Sequence, residues 1–148
     1  MNDHTPDEPV DVLLIEDNPG DVRLTQEAFR ATESDISFRV ISDGKDAAMY
    51  FRQPEDAEPC PDLVLLDLNL PRKDGLAVLE VLEQELDYPP PPVLVLSSSS
   101  AEEDITASYA NAAYAYLTKP YAMPEFTSMA EAIERFWIDT ARQPPAPA

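Results

Sequence analysis

The stretch Leu63-Val64-Leu65-Leu66-Asp67 decides how this chain folds. Four consecutive apolar residues without polar alternation describe a strand covered on both faces, as in the interior of a parallel sheet. An acid stands directly at its end, and apolar strands ending at a polar residue recur on both sides. Upstream, Val10-Asp11-Val12-Leu13-Leu14-Ile15 reads as a strand stopping at Glu16-Asp17. Asn18 then caps a helix whose first position is Pro19, where the missing N–H breaks no hydrogen bond. Val22, Leu24, Ala28 and Phe29 supply its apolar side, to about Thr32. Ile36 to Ser42 reads as a second strand and Asp46 to Arg52 as a short helix. A polar, proline-bearing loop follows from Gln53 to Pro61.

Downstream, Leu76, Val78, Leu79, Val81, Leu82 and Leu86 form a helical face that ends at the rigid run Tyr88-Pro89-Pro90-Pro91-Pro92. Val93-Leu94-Val95-Leu96 is another continuous apolar strand, ending at Ser97. Ser100 and Glu103 have capping-box spacing for a helix to about Ala112. Tyr114 to Leu117 is the last strand and Pro124 to about Ala141 the last helix. That helix carries Phe126, Met129, Ala130, Ile133, Phe136 and Trp137 in one stripe, no wider than an ordinary core-facing helix shows. Five strands alternating with five helices predict an α/β fold, a doubly wound five-stranded parallel sheet. It spans residues 9–141, between a tail at 1–8 and a Pro/Ala-rich tail at 142–148.

Composition narrows the function classes. Lys and Arg total 10 against 29 Asp and Glu, a formal charge of −19 in 148 residues. Phosphate backbones and anionic membranes are bound mainly through neutralising cations, so direct nucleic-acid or membrane binding is not expected. Cys60 is the single cysteine, which excludes an internal disulfide and a cysteine-rich metal site. No apolar run approaches ~20 residues, and the opening residues carry no basic, apolar leader, so the cytoplasm is the expected compartment.

Ligands of doubly wound sheets sit beyond the carboxyl ends of the strands, beside the topological switch point. That rule gathers Glu16 and Asp17 after the first strand, Asp67 after the third, Ser97 after the fourth and Lys119 after the fifth. Three carboxylates there repel: at ~5 Å and an effective dielectric of ~20, each charged pair costs roughly 3 kcal/mol. An oxygen-loving divalent cation removes that penalty, and Mg2+ characteristically takes one or two carboxylates, waters and a phosphate oxygen. Lys119 adds a point charge suited to a phosphoryl group, and Ser97 a short hydroxyl donor. Phosphoryl transfer to a carboxylate matches this set. One strand-ending acid alone is commonly a helix cap; five polar residues on one rim ask for more.

Four segments resemble the successive signatures of receiver domains of response regulators. They are Leu14-Ile15-Glu16-Asp17-Asn18, Leu65-Leu66-Asp67-Leu68-Asn69-Leu70-Pro71 with Asp74-Gly75, Val95-Leu96-Ser97-Ser98, and Tyr116-Leu117-Thr118-Lys119-Pro120. Ser97 lies 30 residues after Asp67, and Lys119 22 after Ser97, intervals that also fit. The resemblance implies a flavodoxin-like (βα)5 fold with Asp67 as phosphoacceptor. It implies a metal site of Asp17, Asp67, the Asn69 backbone carbonyl and, through water, Glu16. Mg2+ is the implied metal, with Mn2+ or Ca2+ able to substitute. Ser97 matches the switch hydroxyl, Lys119 the phosphate-pairing lysine and Tyr116 the aromatic that swings inward on activation. A cis bond is implied before Pro120.

The run Glu16-Asp17-Asn18-Pro19-Gly20-Asp21-Val22-Arg23-Leu24, together with Leu68 to Gly75 and Phe136-Trp137, is similar to the small regulators that serve phytochrome-type histidine kinases. A sensor histidine kinase is then the phosphate source and a downstream protein, unnamed by the sequence, the recipient of the signal. Related regulators pair through their last helices, so a homodimer with Phe136 and Trp137 at its face stands beside a monomer as an expectation. Two rivals remain at this stage. An aspartyl-phosphate phosphohydrolase also has an acid after a strand, but its usual second Asp, two residues on, is Asn69 here. A docking protein that needs no phosphorylation has no use for Asp17, Asp67 and Lys119 together.

Overall fold

A computed structural model describes residues 9–32, 35–52, 61–68, 70, 75–84, 91–97, 102–110, 113–120 and 122–135. Its strands are β1 (Val10–Ile15), β2 (Ile36–Ile41), β3 (Leu63–Leu66), β4 (Val93–Ser97) and β5 (Ala113–Thr118). Its helices are α1 (Pro19–Arg30), α2 (Gly44–Phe51), α3 (Gly75–Gln84), α4 (Glu102–Ala110) and α5 (Met123–Ile133). The strands form one sheet in the order β2-β1-β3-β4-β5, and every pairing is parallel. This is the flavodoxin-like arrangement, and its switch point lies between β1 and β3, where the chain changes direction across the sheet.

The unbroken apolar runs behave as their composition requires. All residues of β3 and β4 are buried, whereas the edge strand β2 has only half-buried and exposed positions. Alternate side chains of the central strands feed two cores. Leu13, Ile15, Val64, Leu66, Val93 and Val95 pack with Phe51 of α2 and with Val78, Leu79 and Leu82 of α3. Val12, Leu14, Leu63, Leu65, Leu94 and Leu96 pack with Phe29 of α1 and with Phe126, Ala130 and Ile133 of α5. Each fully buried Leu, Val or Phe favours the folded state by about 1.5–3 kcal/mol. Phe29 also meets Phe38 of β2 edge to face, with ring centroids 5.7 Å apart.

Element ends differ from the sequence expectation where local hydrogen bonding decides. α1 stops at Arg30, and the Thr32 hydroxyl donates to the Phe29 carbonyl instead of continuing the helix. α2 starts at Gly44, two residues early, because the Asp43 carboxylate caps it by accepting from the Asp46 N–H at 2.8 Å. β5 begins one residue early and includes a register shift opposite Val93 and Leu94. Ser100, Leu86 and the last helix beyond Arg135 lie outside the described residues.

One glycine sets how closely α3 approaches the end of β3. The Gly75 N–H donates to the Leu68 carbonyl at 2.8 Å, and a Cβ on Gly75 would lie 2.6 Å from the Asp67 carbonyl oxygen and 2.6 Å from the Leu68 Cα. Both are backbone atoms, so neither can rotate away. Gly75→Ala should destabilise the fold by about 1–3 kcal/mol, the usual range for overpacking, read from urea unfolding midpoints. Gly20→Ala, whose Cβ meets only the Asn18 side chain at 3.1 Å, should cost less. Equal midpoints for the two variants would mean that the approach of α3 to Asp67 is not sterically set.

Candidate functional site at the carboxyl ends of the strands

Backbone hydrogen bonds continue past the strand ends and fix the loops that carry the polar residues. Glu16 N–H donates to the Ile41 carbonyl, Asp67 N–H to Ile15 and Lys119 N–H to Ser97, at 3.0, 3.0 and 2.8 Å. The sequence-expected residues therefore converge. One carboxylate oxygen from each of Glu16, Asp17 and Asp67 lies within 4.8 Å of the other two. Glu16 and Asp67 are buried and Asp17 is exposed at the mouth. Three hard oxygen donors converging at this spacing, one of them open to solvent, fit a divalent cation of the Mg2+ type.

Lys119 stands over these acids. Its Nζ donates to Glu16 Oε1 at 2.6 Å, to Asp21 Oδ2 at 3.0 Å and to Asp67 Oδ2 at 3.1 Å. The sequence singled out Lys119 for a phosphoryl group; in this state three carboxylates hold it. Asp21 was not singled out among the site residues. It is the third residue of α1, and an acid in a first helical turn is common enough that residue order alone does not mark it.

Two opposing effects act on the buried acids. Burial, and next the neighbouring Asp67 carboxyl, push Glu16 up to about 7 from an ordinary 4.5, although Lys119 pulls the other way. Burial works against the charge on Lys119, but its bonds to Glu16 and Asp21 outweigh it and hold the ammonium above its usual range. The lysine thus stays charged and only partly relieves the crowding of the acids.

Ser97 is fully buried at the end of β4. Tyr116 is half-buried on β5 and packs against the core shared with α2 and α3. Pro120 follows Lys119 directly and is half-buried. Asn69, Phe136 and Trp137 lie outside the described residues.

A carboxyl whose folded-state value is raised favours folding while protonated. That contribution is complete below 4.5 and is lost as pH rises through about 7. The urea midpoint of the metal-free protein should therefore fall across this interval relative to that of Glu16→Gln. A difference between the two proteins that does not vary with pH would contradict the burial of an ionisable Glu16.

Comparison with known proteins agrees with this geometry. The profile of the family described as "Response regulator receiver domain" matches residues 12–131. The response regulator Rcp1 of Synechocystis sp. is 38% identical over 140 residues, covering 93% of this chain and 95% of Rcp1. The crystal structure of the Mn2+-bound form of Rcp1 superposes with a TM-score of 0.77 at 40% identity, over 95% of this chain and 100% of that one. The phosphorylated cyanobacterial phytochrome response regulator RcpA gives 0.79 at 38% identity, over 93% of this chain and all of RcpA. No described helix is long and apolar enough to cross a membrane. With its parallel five-stranded sheet, its clustered acids and its matched length, the chain belongs to the response regulator receiver domain family.

Proposed function

We propose that this protein is a single-domain response regulator that takes a phosphoryl group on Asp67 from a sensor histidine kinase of the phytochrome type. The observation that supports this best is the junction of Glu16, Asp17 and Asp67 within 4.8 Å, with Lys119 Nζ bonded to the Asp67 carboxylate. An Asp67 oxygen attacks the phosphorus of a phosphohistidine, the P–N bond breaks, and the imidazole nitrogen keeps the electron pair. Because such a transition state spreads charge over three phosphoryl oxygens, positioning and compensating charge are what the protein contributes. Lys119 supplies one such charge and the buried Ser97 hydroxyl a hydrogen-bond donor. Mg2+, for which Mn2+ or Ca2+ can substitute, supplies the remaining positive charge when bound by Asp17, Asp67, Glu16 and the Asn69 carbonyl. Hydrolysis returns inorganic phosphate and the free Asp67 carboxylate, so no independent substrate is turned over.

The switch follows from where these groups are attached. Ser97 ends β4, and Lys119 follows β5, which also carries Tyr116. A shift of Ser97, with Tyr116 turning inward and a cis bond before Pro120 aiming Lys119, reshapes the face of α4, β5 and α5. A downstream protein reads that face. In this proposal the protein works in the cytoplasm as residues 9–141 of receiver flanked by tails, and Phe136 and Trp137 form a homodimer face on the last helix. Relatedness to RcpA, a cyanobacterial phytochrome response regulator, supports the phytochrome-type partner.

Intact mass after incubation with acetyl phosphate and Mg2+ tests the central step. The wild type should gain one phosphoryl group, and Asp67→Asn or a chelator should abolish the gain. No gain in the wild type would leave the non-phosphorylated docking protein ahead, and steady release of phosphate from small esters would favour the hydrolase. Metal binding has its own readout: Mg2+ at a hundred times its Kd should stabilise the wild type by about 2.7 kcal/mol. Asp17→Asn should lose most of that shift. An equal Mg2+ response in both would remove Asp17 from the metal site.

A further inference from the structure

An ammonium group has three N–H donors and no more. Those of Lys119 are all engaged, by Glu16, Asp21 and Asp67. Glu16 and Asp67 belong to the acidic cluster, and Asp21 does not. An acid in the first turn of a helix is ordinarily explained by the helix dipole. The dipole accounts for the presence of Asp21 on α1 but not for its contact with a lysine that also touches the acceptor carboxylate.

The position of Asp21 is well braced. Its N–H donates to the capping Asn18 Oδ1 at 3.2 Å, and the buried Thr25 hydroxyl donates to its carbonyl at 2.8 Å. The carboxylate therefore reaches Lys119 from a fixed first turn rather than from a mobile loop.

A phosphoryl group on Asp67 brings several new acceptor oxygens to Lys119: the donor now on Asp67 passes to one of them, and engaging a second requires a further bond to open. The candidates differ in what opening costs. Glu16 makes the shortest bond, and its side chain is 5% exposed. The Asp67 side chain, 6% exposed, is itself the group being modified. Asp21 is 27% exposed and returns most readily to water.

We propose that Asp21 is a restraining residue. It occupies one donor of Lys119 in the resting protein, and the Asp21–Lys119 bond is the one that opens when Asp67 is phosphorylated. Asp21 touches neither the acceptor nor the phosphoryl group in this scheme and acts only through Lys119. The proposal rests on Asp67 being the phosphoacceptor.

The test uses the full chain with phosphoramidate and Mg2+, following uptake and subsequent loss of the phosphoryl group by intact mass. Asp21→Asn keeps the shape and removes the charge. It should take up the group about two- to fivefold faster and lose it more slowly by a similar factor, the scale expected for freeing a partly exposed ion pair. Asp21→Glu, which keeps the charge, should restore rates close to wild type; a merely structural side chain would give no such rescue. In a Lys119→Met background the acceleration by Asp21→Asn should vanish. Uptake by the wild type with equal or slower uptake by Asp21→Asn at an unchanged urea midpoint would overturn the restraint alone. So would an acceleration that persists without Lys119. No uptake by the wild type would instead overturn the phosphoacceptor assignment, and the restraint with it.

Discussion

Crowded negative charge, held by one lysine, is the constraint around which this molecule is organised. Two of the acids, Glu16 and Asp67, are buried, and a buried charge without a partner is expensive. Lys119 bonds both and remains charged, yet burial still drives Glu16 far above its ordinary value. The carboxylates around Lys119 outnumber its single charge, so a divalent cation bound among them would lower the energy of the site, and removal of the lysine would raise it. A protein of net charge −19 that has placed one of its few basic residues here has committed scarce positive charge to this rim.

The sheet makes that commitment structurally consequential. Glu16 and Lys119 are 103 residues apart in sequence and follow strands on opposite sides of β3 and β4. The backbone bonds that extend the ladders past the strand ends tie Glu16 to β2, Asp67 to β1 and Lys119 to β4. A displacement of the Lys119 side chain therefore acts on a loop already bonded to its neighbours, and Tyr116 lies three residues upstream on β5. The two cores on the faces of the sheet are densely buried and give the rim a rigid base.

Gly75 shows how packing and chemistry meet. The start of α3 passes so close to the Asp67 and Leu68 backbone that no side chain fits between them. The turn that presents the candidate acceptor is therefore held by the helix that follows it, and core volume and site geometry cannot vary independently there.

Much of this was legible in the residue order. Continuous apolar strands with a polar residue at each end define a parallel sheet and, through the switch-point rule, gather Glu16, Asp17, Asp67, Ser97 and Lys119 on one rim. Those assignments depend only on local pattern and on chain handedness, which short-range sterics dictate. The start of α2 was missed by two residues because an Asp43 cap and an Asp46 helical position look alike until the side chain is seen to accept the bond. Asp21 was invisible as a site residue for a deeper reason. In the sequence it is one more acid in a first helical turn, and only the approach of α1 to the end of β5 brings it to Lys119. Residue order determined which elements form and which strand-ending side chains reach the rim. Tertiary packing decided which acids the lysine holds, how deeply each is buried and hence how far its charge is opposed, because distance and desolvation exist only once distant segments meet.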